Sequence, residues 1–135
     1  MTDEQIDAMD AGPEMDAAIA AACGIEHAAS TEIGLCRLKP EGRTVETEWQ
    51  PWRPSIDWND AMFAAEKCRL LEVYALERIP LRTPLYVVAD IQLMDGEDEW
   101  VARAESGPLA ICQAILRLRH KGLNLRHGVR CCSWQ

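Results

Sequence analysis

With 135 residues, 48% of them apolar and 27% charged, the chain suffices for one domain with its own core and needs neither a metal nor a disulfide to fold. A net charge of −8 works against phosphate contacts, so direct nucleic-acid binding is not expected. The opening MTDEQIDAMD has four acids and no basic residue, and no run of about 18 apolar residues follows. A signal peptide and a membrane span are therefore not expected, and the six cysteines read as free thiols of a soluble, cytoplasmic protein.

The charge is polarised along the chain. Residues 1–36 hold eight acids and no Lys or Arg, whereas residues 106–135 hold five Lys or Arg and no acid.

DAGPEMDAAIAAACG has the grammar of a short helix. Pro13 suits the first helical position, Glu14 and Asp16 suit the positive end of the dipole, and Gly24 offers a left-handed stop. Met15, Ala18, Ile19 and Ala22 then form a narrow stripe of mostly small residues, which requires close packing on a larger element.

EIGLCRLKPEGRTVETEW reads as two extended runs around a Pro40–Glu41–Gly42 turn, with Val45, Thr47 and Trp49 alternating against polar neighbours. QPWRP follows as an extended loop, since two prolines fall within four residues. SIDWNDAMFAAEKCRLLEVYALERIP carries the longest helical pattern. Ser55 or Asp57 caps it, Pro80 ends it, and Ala61, Ala64, Ala65, Cys68, Leu71 and Ala75 make its inner stripe.

PLYVVADIQLMDGEDEWVARA predicts a hairpin about Asp95–Gly96. A two-residue turn there pairs Ile91 with Trp100 and Ala89 with Ala102, and a longer loop through Glu99 shifts that register. SGPLAICQAILRLRHKG repeats the first helix's punctuation with Pro108 and Gly122. Its apolar residues include Cys112, which points inward, while Gln113, Arg117, His120 and Lys121 fall on the opposite face. The expected order is α-ββ-α-ββ-α with antiparallel hairpins, an α+β domain over residues 1–121 followed by a basic extension over 122–135.

GPEMDAAIAAACG, PSIDWNDAMFAAEK, WVARA and GPLAICQAIL together resemble the phage ABA sandwich domain, a small family of phage and prophage proteins. Ser55, Asp57, Ala61, Trp100, Ala110, Ile111, Cys112 and Ala114 match its pattern, whereas Met62 stands where that family commonly has tryptophan. The resemblance covers roughly residues 10–120 and implies a layered helix–sheet–helix sandwich and a phage setting, hence the cytoplasm of a bacterial host. It implies no activity and brings no catalytic residues.

The residues themselves offer little catalysis. A phosphate-cradling glycine loop, a nucleophile elbow and paired zinc-ligand spacings are all absent, so neither an enzyme nor a cofactor is expected. Cys112 and His120 on one helix lie ~12 Å apart along its axis, too far to share an ion. The remaining His120, His127, Cys131 and Cys132 sit among Lys121, Arg126 and Arg130, which repel a dication. Adjacent Cys131 and Cys132 are poorly placed for a mutual bridge, and Cys23, Cys68 and Cys112 read as small core residues.

Three functions stay open. In one, the acids Asp3, Glu4, Asp7, Asp10, Glu14 and Asp16 dock a host protein, for instance the basic nucleic-acid channel of a defence nuclease or CRISPR effector. In the second, Trp49, Trp52 and Trp58 bind a flat nucleotide signal whose phosphates meet Arg53 or the tail arginines, against the plainer role of plugging the gap between hairpin and helix. In the third, the chain is a phage assembly accessory that self-associates into a homo-oligomer.

Overall fold

The computed structural model describes residues 2–30, 34–38, 49–70, 74–90 and 100–120. Within them the order is α1 (Asp3–Ala8), α2 (Pro13–Cys23), β1 (His27–Ser30), β2 (Gly34–Leu38), β3 (Trp49–Pro51), α3 (Trp58–Lys67), β4 (Tyr74–Ile79), β5 (Leu85–Asp90), β6 (Trp100–Ala104) and α4 (Gly107–His120). The class is α+β, as expected. The order differs, because each expected pair of strands is joined by a third and an extra helix precedes α2.

Local chemistry starts and stops the helices. Thr2 and Gln5 form a capping box on α1, with Thr2 Oγ1 accepting from the Gln5 N–H at 3.2 Å and Gln5 Oε1 accepting from the Thr2 N–H at 2.7 Å. α2 begins at Pro13 and ends at Gly24, whose φ of 69° is the left-handed cap that glycine adopts without strain. Asp57 caps α3 by accepting from the Asn59 N–H at 3.1 Å, and Ser106 Oγ accepts from the Leu109 N–H at 3.3 Å at the start of α4.

The helix expected over residues 55–80 stops at Lys67. Cys68 is its C-cap and Arg69 turns to a positive φ of 58°. YALERI, composed largely of good helix formers, is instead β4, paired with β5 from Tyr74↔Asp90 to Ile79↔Leu85. Six residues of antiparallel ladder outweigh helix propensities of a few tenths of a kcal/mol per residue.

The two antiparallel sheets have the orders β1-β2-β3 and β4-β5-β6. β2 and β3 pair through Leu38↔Trp49, and the Pro40–Gly42 turn expected between them lies outside the described residues. QPWRP is only partly a loop, since Gln50 and Pro51 belong to β3. In the second sheet Ala102 faces Val88 rather than Ala89, and a bulge between Val88 and Ala89 sets Trp100 opposite Ala89. The Asp95–Gly96 turn, Ile91 and Leu93 lie outside the described residues.

α4 is the axis of the fold. It packs on β4, β5 and β6 and also against α1, α2 and α3, while the first sheet reaches the helices through β2 on α2. Val88, Ala102 and Ala104 present small side chains to the core that it shares with Ile111, Cys112 and Ile115. Cys112 is buried and His120 exposed, as the helical spacing predicts, but Gln113 is buried rather than wet. On the same side of the helix Arg117, one turn on from Gln113, pairs with Asp7 of α1.

Trp58 marks the closest approach. Its ring lies over Gly107 and meets Tyr86 edge-on, with centroids 5.7 Å apart and planes at 69°. A Cβ on residue 107 would fall 1.9 Å from that ring. Gly107→Ala is therefore expected to destabilise by about 1–3 kcal/mol in urea melts, although alanine is the better helix former. Adding Trp58→Ala removes the clash, so the double variant should recover most of that loss; a purely additive double variant would refute the packing account.

Candidate functional site

The acids singled out from the sequence fall into two environments. Glu4, Asp7, Asp10 and Glu14 are exposed, and Asp3 is half-buried with its Oδ1 sealed from solvent and without a hydrogen-bond partner among the described residues. They run along α1, the connecting turn and the first turn of α2. Both helices thereby place acids where the unpaired N–H groups of their first turns favour negative charge. Between the two helices an open concavity of about 670 Å³ is lined by Gln5, Met9, Asp10, Gly12, Pro13 and Glu14, among others. Asp7 is not part of its lining and pairs instead with Arg117 of α4, so its charge is partly offset.

Asp16 is different. It is 2% exposed, and its Oδ1 accepts from the Ser55 N–H at 2.9 Å. The sequence reading grouped it with the docking acids; the fold removes it from the surface. Asp16, Ile19, Ala20 and Cys23 follow the i, i+3, i+4, i+7 spacing of one helix face, and all four are buried. That spacing was the available signal, one position off the stripe read from Met15.

The tryptophans part in the same way. Trp52 is fully buried, its Nε1–H donating to the Asp16 carbonyl oxygen at 2.8 Å and its ring lying edge-on to Phe63 at 6.1 Å. It fills the space between the first sheet, α2 and α3, which is the plugging role, and a ligand does not reach it. Trp58 is 44% exposed, with exposed Ile56 and Met62 near it in sequence. Arg53 is exposed, and its backbone N–H donates to Asp60 Oδ2 at 2.9 Å. The side chain of Trp49 lies outside the described residues.

No family model, curated protein or solved structure matches the chain. The site therefore rests on its own geometry. Among the described residues no three His, Cys, Asp or Glu side chains are grouped to hold a metal ion, and no helix is long and apolar enough to cross a membrane. His127, Cys131 and Cys132 lie outside them.

Burial raises the pKa of Asp16 above its ordinary 3.8, opposed by hydrogen bonds from the Ser55 side chain and backbone and by the charge of Arg53. Burial, and secondarily the nearby Asp16 carboxylate, also pushes the Cys112 thiol well up. An acid whose pKa is higher folded than unfolded contributes most to stability below the ordinary carboxylate range. Its contribution falls as pH rises from about 3.8 toward the raised folded value and is flat above it. Asp16→Asn keeps an acceptor for the Ser55 N–H and carries no charge. Its stability relative to the natural chain should therefore climb across that interval in urea melts taken from acid to neutral pH, whereas a difference independent of pH would contradict the assignment.

Proposed function

We propose that the protein is a non-enzymatic binding protein that acts by stoichiometric occupancy of a basic surface on a partner macromolecule. The observation that carries this reading is the run of exposed acids Glu4, Asp7, Asp10 and Glu14 along two adjoining helices, of which Asp10 and Glu14 line an open concavity. Carboxylates at a rim steer an oppositely charged partner and raise its association rate, and they do so more strongly at low salt. The apolar stems of Met9 and Pro13 in the same concavity give such a partner something to bury once it has docked.

The partner chemistry follows from the sign of the charge: a protein surface rich in Lys and Arg, of the kind that lines a nucleic-acid channel. An inhibitor of a host defence nuclease or CRISPR effector, working in the bacterial cytoplasm as the resemblance to phage proteins suggests, has this character. The small-ligand reading loses its central ring with Trp52 in the core.

The test is affinity capture of the tagged full chain from bacterial lysate, with mass spectrometry of what elutes between low and high salt. A basic, nucleic-acid-handling protein should elute with salt, and the Asp10→Lys, Glu14→Lys double variant, at two exposed positions, should weaken its capture at least tenfold while still unfolding cooperatively, with a Tm lowered by no more than a few degrees for the lost helix-end charge. Capture that survives both high salt and charge reversal, or no salt-released partner at all, would overturn the proposal.

A further inference from the structure

Cys23 and Cys68 are 45 residues apart, and the sequence gives them no chemistry beyond filling apolar stripes. The fold brings them together. Cys23 is the last residue of α2 and Cys68 the C-cap of α3, each 1% exposed, and their Sγ atoms lie 2.6 Å apart. Cys36 has a different setting, its Sγ directed to the Gly34 carbonyl oxygen at 3.4 Å within the first sheet.

We infer that Cys23 and Cys68 form a redox site, a reversible disulfide that ties the C-terminal ends of α2 and α3 together when a small disulfide such as oxidised glutathione is the oxidant. The two sulfurs already stand close to the ~2.05 Å of a bond, so closure asks for little movement of either helix. The exchange balances in two steps. One protein thiol gives up its proton, and its thiolate attacks a sulfur of the oxidant, breaking the oxidant's S–S bond and expelling one small thiolate that is then protonated. The second protein thiolate attacks the protein sulfur of that mixed disulfide and expels the other small thiol. Two protein thiols are oxidised, and one small disulfide is reduced to two thiols.

The surroundings set the rate. The hydrogen bond between the two thiols and then burial raise the pKa of Cys23, with Arg119 opposing weakly, so the closed fold supplies little thiolate. Both residues sit at helix C-termini, which fray before helix interiors do, and transient opening there admits the oxidant. The reaction is therefore slow at neutral pH and faster at higher pH or in low urea. A bridge closing a loop of this length constrains the unfolded chain and should raise Tm by about 10 °C.

The experiment uses the full natural chain, incubated with oxidised glutathione at pH 8, alkylated, digested and mapped without reduction. A peptide joining Cys23 to Cys68, a Tm gain of about 10 °C and reversal of both by dithiothreitol are the expected results. Cys112→Ala should keep the bridge, and Cys23→Ala or Cys68→Ala should abolish the Tm gain. Recovery of Cys23 and Cys68 as separately alkylated residues, as stable glutathione adducts, or bridged to other cysteines would overturn the inference, and that reading needs no variant to fold.

Discussion

A reciprocal clamp between α2 and the turn before α3 organises the helical side of the fold. Ser55 Oγ accepts from the Gly12 N–H at 2.9 Å while the Ser55 N–H donates to Asp16 Oδ1 at 2.9 Å. One serine thus satisfies the backbone at the N-cap of α2 and a buried carboxylate in its first turns. Trp52 adds the third tie through its indole N–H to the Asp16 carbonyl oxygen, and its own backbone N–H donates to the Leu35 carbonyl oxygen at 2.9 Å. The clamp joins α2, the loop into α3 and the first sheet. Each bond replaces water at a group that is otherwise costly to bury, so losing one member strands the others.

Small residues make the rest possible. Ala61, Ala64 and Ala65 on α3 and Ala110 and Ala114 on α4 are fully buried, and α3 packs directly on α4. Such side chains let helix backbones approach closely, which in turn leaves room for few large groups. Trp52 is the largest fully buried side chain among the described residues, and it sits where the first sheet, α2 and α3 meet. Gly107 shows the same economy beside Trp58, the first residue of α3, where even a methyl group would strike the ring.

What was legible in the sequence was punctuation and short-range periodicity. Pro13 and Gly24 bracket α2, Asp57 starts α3, and the inward Cys112 and outward His120 follow from a 3.6-residue period. What was not legible depended on partners distant in the chain. YALERI has helix-forming composition and becomes a strand because β5 is there to pair with it. Gln113 has the polarity of a surface residue and is buried on α4, against which α1 packs, a six-residue helix whose Thr2–Gln5 capping box was its one local signature. For the candidate site, the exposed acids were visible as composition and the burial of Asp16 was signalled only by its helical spacing with Ile19, Ala20 and Cys23, whereas separating Trp52 from Trp58 required the clamp. The meeting of Cys23 with Cys68 had no local signal at all.

α2 links the three features on which the proposals rest. Its first turn bears Glu14 at the acidic concavity and points Asp16 into the clamp, and its last residue is Cys23 beside Cys68. Residues 13 and 23 are ~15 Å apart along the axis, so the helix is held at both ends of that length. Docking through an acidic face usually costs ordering of the groups that dock. Here the backbone bearing Glu14 is already fixed by Ser55 and Trp52, which leaves only side-chain freedom to be lost. Disulfide closure acts at the opposite end, against α3, and leaves the hydrogen bonds at the acidic end as they are. Redox state therefore changes the lifetime of the folded chain more than the geometry of its acidic face.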